Sequence, residues 1–240
     1  LRAGAAYLPI DVDYPVERRD HMLAAGRPAL ILTPADVREA LSAARAPSDG
    51  REAPTDPDVR PAGVRETLTD PDVRPEHPAY LVFTSGSSGL PKGVLGTQGG
   101  LAARLAWGRT ALPAGPGDVV VAKSSPSFID GSTELLGALL GGATVVLADA
   151  EQRRDTHALA ALIGASGATR MTVVPSQLRA LVADTDAALL RTVGHWTSSG
   201  EPLPAALAAA VRETLPGTAV TDLYGCSEAS GDSLARFDTA

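Results

Sequence analysis

Residues 81–95 read LVFTSGSSGLPKGVL, from Leu81 to Leu95. Leu81, Val82 and Phe83 predict a strand before the loop, and Val94 and Leu95 predict a strand after it. Between them, Thr84, Ser85, Ser87 and Ser88 offer hydroxyl donors. Gly86 and Gly89 let backbone N–H groups approach an anion closely, and Lys92 adds a mobile positive charge. That combination suits a polyphosphate. It is not a G-x-x-x-x-G-K-[ST] loop, because counting from Gly86 places Pro91 where the second glycine belongs, and Gly93 follows Lys92. A flexible Gly/Ser linker would have no use for the rigid, charged ending Pro91-Lys92-Gly93 or for flanking strands.

TSGSSGLPKG closely resembles the phosphate loop of the adenylate-forming enzymes: acyl-CoA synthetases, luciferases and the adenylation domains of nonribosomal peptide synthetases. The stretch LRAGAAYLPIDVDYPVERRDHML, starting at Leu1, resembles the early core motif of the peptide-synthetase branch, which luciferases lack. Its role there is architectural, so Asp11, Asp13 and Glu17 are expected to serve as turn, cap and solvated face. The chain starts at Leu1 in mid-pattern and is expected to be an internal fragment. The resemblance implies a partial adenylation core over residues 1–240, with the family's ribose-binding Asp, hinge and small carboxy-terminal domain with its Lys lying beyond Ala240.

The 240 residues are 44% hydrophobic and can bury a sizeable core. A net charge of -7 argues against a nucleic-acid partner or an anionic membrane surface. One cysteine, Cys226, excludes internal disulfides and fits a reducing cytoplasm. His21, His77, His157 and His195 lack metal-ligand spacing.

Along the chain, a short strand is expected at Tyr7 to Ile10, a helix from Pro15 to Ala25 ended by Gly26, and a strand at Ala29 to Leu32. At about 47–77 the composition turns to Pro, Asp, Arg and Glu, and TDPDVRP occurs twice, at Thr55 to Pro61 and Thr69 to Pro75. An extended, exposed insertion is expected there. Strands at Val119 to Ala122, Ala143 to Leu147, Met171 to Val174, Trp196 to Ser199 and Ala219 to Leu223 alternate with predicted helices. The result is a layered α/β fold with parallel-rich sheets flanked by helices, whose ligands sit outside the carboxyl ends of strands. The phosphate loop and the loop after Leu223 are both expected at such ends.

LYGCSEA, from Leu223 to Ala229, resembles the family's second nucleotide motif. The resemblance implies that Tyr224 packs on adenine with Gly225 beside it, that Ser227 bonds the α-phosphate and that Glu228 holds Mg²⁺. A flat amphipathic ring suits a base, and a carboxylate suits a hard cation. SSGEPLP, from Ser198 to Pro204, resembles the segment that lines the adenine side, which brings in Gly200 and Glu201. Lys92 and Glu228 would be the groups acting on the reaction: attack of a bound carboxylate on the α-phosphorus of ATP, giving an acyl-adenylate and pyrophosphate. The acyl group would then pass to phosphopantetheine on a peptidyl carrier protein.

SFIDGSTELLGALLGGA, from Ser127 to Ala143, bears on the acid. In α-amino-acid-activating relatives an Asp follows this Phe directly and pairs with the substrate ammonium. Here Ile129 takes that place and Asp130 comes one residue later. One helical step turns a side chain by about 100° and moves it ~1.5 Å, so Asp130 does not simply replace the lost group. An ammonium one carbon farther from the carboxylate would meet it, as in relatives that activate β-amino acids. The aligned pocket positions are Ile129, Asp130, Thr133, Val173, Thr197, Ser199, Leu223, Gly231 and Asp232. Thr133 would leave room for a side chain, and Asp232 stands ready for a distal amine. Against this, Asp130 could merely cap the helix, with Ile129 marking an acid that has no amine. An acyl- or aryl-CoA ligase and a non-catalytic nucleotide-binding module remain the rivals.

Overall fold

The computed structural model describes residues 4–45, 72–85 and 91–238. The Gly86, Ser87, Ser88 and Gly89 part of the phosphate loop lies outside them, as do the first TDPDVRP copy and most of the predicted insertion. Helix α1 (Val16–Gly26) follows Pro15 and ends on Arg27 in the left-handed region at φ 43°. Helix α2 (Pro34–Arg45) was not anticipated. Its signal is Thr33-x-x-Asp36 with Pro34 directly after Thr33: the Asp36 carboxylate accepts from the Thr33 N–H at 2.6 Å, and Thr33 Oγ1 accepts from the Asp36 N–H at 3.3 Å.

Two expected strands do not form. Tyr7 makes a single parallel bridge to Tyr80, and Pro9, which has no N–H, cannot extend it. Residues 29–32 pair with no strand among the described residues, and Leu30, Ile31 and Leu32 are exposed.

Strands β1 (Pro78–Thr84) and β2 (Lys92–Thr97) form an antiparallel hairpin that is its own two-stranded sheet. The phosphate loop therefore closes a hairpin and does not follow a parallel strand, contrary to the crossover expectation. Tyr80, fully buried, lies on this hairpin directly over Gly96, where a Cβ would stand 1.9 Å from the tyrosine ring.

Helix α3 (Gln98–Ala111) opens on Thr97, whose hydroxyl accepts from the Gly100 N–H at 3.1 Å. Then come β3 (Val119–Ala122), α4 (Ile129–Gly141), β4 (Thr144–Leu147), α5 (Ala150–Arg154), α6 (Thr156–Ser166), β5 (Arg170–Val173), α7 (Pro175–Asp184), α8 (Ala187–Leu190), β6 (His195–Ser198), α9 (Ala205–Thr214), β7 (Ala219–Cys226) and β8 (Gly231–Asp238). The six-stranded sheet has the order β4-β3-β5-β6-β7-β8; its first five strands are parallel, and β8 returns antiparallel on β7.

Alternation along the strands sorts the two faces. Val121, Val173, Trp196 and Val220 enter the main core beneath α6, α7, α8 and α9. On the other face Val120 packs with Ala138 and Ala143, under α4. A third cluster joins Ala79, Tyr80 and Val82 of the hairpin to Leu101 and Ile129, so the hairpin, α3 and the start of α4 are one packed body.

Candidate active site

At the carboxyl end of β7 the chain does not leave the sheet at Leu223 but stays paired through Tyr224, Gly225 and Cys226. A single 3-10 turn (Ser227–Ala229) follows, and Ser230 (φ 64°) and Gly231 (φ 112°) reverse the chain into β8. Gly225 is obligatory here. Its register shift brings the returning strand so near that a Cβ would lie 2.0 Å from the Gly231 carbonyl oxygen. Tyr224 is 73% exposed, and its ring is available to a flat partner.

Gly200, Glu201, Leu223, Tyr224 and Gly225 line one surface cleft, so tertiary structure brings together two motifs that are separate in sequence. The Glu201 carboxylate is engaged within the protein. It accepts from the Ser176 N–H at 3.0 Å and the Ser176 hydroxyl at 2.9 Å, tying the cleft wall to the amino end of α7.

Thr84 and Lys92 are cross-strand partners at the mouth of the hairpin, with Ser85 and Lys92 exposed. His21 Nε2 lies 3.2 Å from the Pro91 carbonyl oxygen and fastens α1 to the loop's end. The Tyr80 hydroxyl donates to the Ser227 carbonyl at 3.2 Å, which fixes Ser227 and Glu228 to the same hairpin. Glu228 is exposed, and among the described residues no group of three His, Cys, Asp or Glu could hold a metal. One carboxylate fits a magnesium ion that arrives with phosphates and keeps several waters, rather than a resident ion in a protein cage.

The second concavity is a cavity of about 100 Å³ between the sheet, α3 and α4. Asp130, Thr133, Thr197, Ser199, Leu223 and Asp232 all line it. Ile129, Val173 and Gly231 do not. Ile129 turns to the Tyr80 cluster, one helical step from Asp130. Val173 belongs to the opposite face of the sheet, and its neighbour Thr172 takes the cavity position. Gly231 sits behind the wall, where an added Cβ would meet Ile129 and Arg104.

Asp130 does not cap α4: Phe128 is the N-cap, with no side-chain cap bond. The Asp130 carboxylate instead accepts from the Ser199 hydroxyl at 3.2 Å. Burial and the nearby Asp232 carboxylate raise its pKa above the usual carboxylate range, against the Ser199 bond and the Arg104 and Lys123 cations. Glu134, one turn on, is raised by burial although it accepts from the N–H groups of Lys123 (3.1 Å) and Ser124 (3.0 Å) and from the Ser124 hydroxyl (2.7 Å). Burial lowers the Lys123 ammonium, against the pull of Glu134 and Asp130.

Sequence reasoning missed Arg104, whose guanidinium pairs with Asp232 across 128 positions. No local pattern announces such a partner. Glu134 did leave a signal, because at four residues beyond Asp130 it shares that face of α4.

Asp11 accepts from the Asp13 N–H at 3.0 Å in a turn, and Asp13 meets Arg154 at the surface at 2.7 Å. Gln98 Nε2 donates to the Pro78 carbonyl at 3.1 Å. Among the described residues no helix is long and apolar enough to cross a membrane.

Comparison with known proteins agrees with this geometry. The AMP-binding enzyme family matches residues 1–239. Enterobactin synthase component F of Escherichia coli (strain K12) is 35% identical over 237 residues, which is 97% of this chain and 18% of that protein. The nonribosomal peptide synthetase FmoA3 (S1046A), in its alpha-methyl-L-serine-AMP bound form, superposes with a TM-score of 0.78 at 28% identity, over 100% of this chain and 26% of that one. PA1221, a protein containing adenylation and PCP domains, gives a TM-score of 0.76 at 25% identity, over 99% of this chain and 39% of that one. The chain spans 3% of the length of one curated relative and 19% of another. Nonribosomal peptide synthetases stand among its similar proteins, and a family match over nearly every residue settles the membership: the chain belongs to the AMP-binding enzyme family.

Proposed function

We propose that the protein carrying this chain activates an amino acid with ATP, forming the acyl-adenylate and releasing pyrophosphate, and passes the acyl group to the phosphopantetheine thiol of a peptidyl carrier protein. The favoured substrate is a β-amino acid. The observation that carries this reading is Asp130, a carboxylate facing the cavity whose hydrogen-bond partner among the described residues is the Ser199 hydroxyl, while Ile129 is turned into the hairpin core. A substrate ammonium is the group that restores such a carboxylate to its charged form.

In this reading Tyr224 stacks on the base, and the cleft wall at Gly200, Glu201 and Gly225 receives the nucleotide. Thr84, Ser85, Gly86, Ser87, Ser88, Gly89 and Lys92 hold the polyphosphate, and Ser227 binds the α-phosphate. Lys92 opposes the charge that grows on the leaving pyrophosphate. Bound at Glu228, Mg²⁺ would supply charge neutralisation on the phosphates. The acid lies with its ammonium at Asp130 and its carboxylate toward the α-phosphorus. No protein nucleophile is needed.

ATP–pyrophosphate exchange by the full-length protein tests the reading, with matched α-amino, β-amino and amine-free acids as substrates. Preference for the β-amino acids, lost in Asp130→Asn, supports it. Preference for another series, or unchanged β-amino activity in Asp130→Asn, overturns the substrate assignment, and binding of ATP without exchange overturns the activity.

A further inference from the structure

The Arg104–Asp232 pair stands in the wall of the cavity, and the use of that cavity for the acid rests on the function proposed above. Arg104 Nε donates to Asp232 Oδ2 at 2.9 Å, and Nη2 reaches the same oxygen. The two side chains are only 11% and 5% exposed. The guanidinium carbon also lies 4.8 Å from the centre of the Trp107 ring. One turn further along α3, Gly108 leaves the space this conformation needs, since a Cβ there would come within 2.9 Å of Arg104 Nη1. Asp232 is therefore neutralised from within, not open to a substrate amine as its position in sequence suggested.

Among the described residues, the remaining wall offers a distal ammonium no other open carboxylate. Glu134 is occupied by the Lys123 and Ser124 backbone and the Ser124 hydroxyl. Arg170, also on the lining, is already beside Asp118 at 3.3 Å, and Arg109 adds another positive charge to that wall. Thr133, Thr172 and Thr197 bring only neutral hydroxyls to the wall, and Leu105, Leu112, Val120 and Ala138 are apolar.

We propose that Arg104 sets the charge specificity of the pocket: by holding Asp232 it leaves Asp130, among the described residues that line the cavity, as the one carboxylate open to a cation, so the site takes an acid with a single ammonium and an uncharged tail. A second, distal ammonium would have to displace a buried guanidinium from Asp232 and then sit beside it, an arrangement of like charges in a low-dielectric site. The role is one of specificity, separate from the phosphate chemistry.

Exchange assays on the full-length protein with three matched pairs test this, each pair differing only by a distal amine: 3-aminohexanoate and 3,6-diaminohexanoate, norleucine and lysine, hexanoate and 6-aminohexanoate. Which pair is accepted judges the β-amino reading, and the ratio of kcat/KM within that pair judges Arg104. The wild-type ratio is expected to favour the neutral tail by roughly 100-fold, Arg104→Met to move it at least ~10-fold toward the amine, and Arg104→Lys to keep the wild-type order. Asp232→Asn, which leaves Arg104 without its carboxylate, is expected to gain activity on an acid with a distal carboxylate and none on the diamino acid. That variant decides the matter if Arg104→Met does not fold. A wild type that accepts the diamino acid equally well, an Arg104→Met ratio that stays put, or an Asp232→Asn variant that gains on the diamino acid overturns the proposal, and exchange with none of the pairs overturns it together with the function.

Discussion

The hydroxyl of Tyr80, on the first strand of the phosphate hairpin, donates to the main-chain carbonyl of Ser227 at 3.2 Å, joining two motifs 147 positions apart. The ring that carries this hydroxyl is fully buried, so the Ser227–Ala229 turn takes its position from the hairpin core. Tyr80→Phe keeps the packing and removes the bond. It is expected to cost about 1 kcal/mol of stability and to raise KM for ATP more than it lowers kcat. Thermal denaturation and steady-state exchange kinetics on the full-length protein check both, and an unchanged KM for ATP would mean that the turn is held by other contacts.

Gly96→Ala attacks the same junction from below. Its Cβ would stand 1.9 Å from the Tyr80 ring, which has no free direction in which to retreat. A loss of about 1–3 kcal/mol is expected, the usual cost of overpacking a dense core. Chemical denaturation measures it, and a loss below ~0.5 kcal/mol would show that the hairpin yields more easily than its packing implies.

Lys92 and Glu228 are expected to fail differently. On the function proposed above, Lys92→Ala would remove a charge opposite the polyphosphate and Glu228→Ala a magnesium ligand, each expected to slow adenylation by roughly 100-fold. Excess Mg²⁺ should restore part of the Glu228→Ala loss and none of the Lys92→Ala loss. A magnesium titration of exchange rates separates them, and equal rescue of both, or of neither, would refute the division of roles.

On the function proposed above, Asp130 is expected to trade stability for function. Burial and Asp232 raise its pKa in the folded protein, so the folded state holds this proton to higher pH than the unfolded chain does. The favourable contribution is complete below the unfolded value of about 3.9 and is lost as pH rises through the raised folded value. Asp130→Asn escapes that loss. It is expected to be more stable than wild type at neutral pH by about 1 kcal/mol, with a smaller gap near pH 4, while β-amino acid exchange falls by roughly 100-fold. Melting temperatures at the two pH values test the sign, and a gap that widens toward acid would contradict it.

What was legible in the sequence alone was local or periodic. Alternating apolar runs announced β3 to β7, while the polyphosphate reading of residues 84–93 rests on their hydroxyls, glycines and lysine, and the nucleotide reading of Tyr224-Gly225 and Ser227-Glu228 rests on a family resemblance. Capping chemistry at Thr33 and Asp36 was also present and went unread. What only the tertiary structure decided depends on partners far away in the chain. Residues 29–32 have the composition of a strand but no neighbour to pair with among the described residues, and β8 exists because Ser230 and Gly231 turn the chain back onto β7. Val173 and Thr172 exchange places in the pocket because a strand shows alternate residues to opposite faces, and which face meets α3 and α4 is settled by packing. The same holds for charge. Asp232 reads as an open carboxylate in one dimension, and folding gives it Arg104 from a helix 128 positions away; an ion pair is a property of distance in space, which sequence separation does not encode.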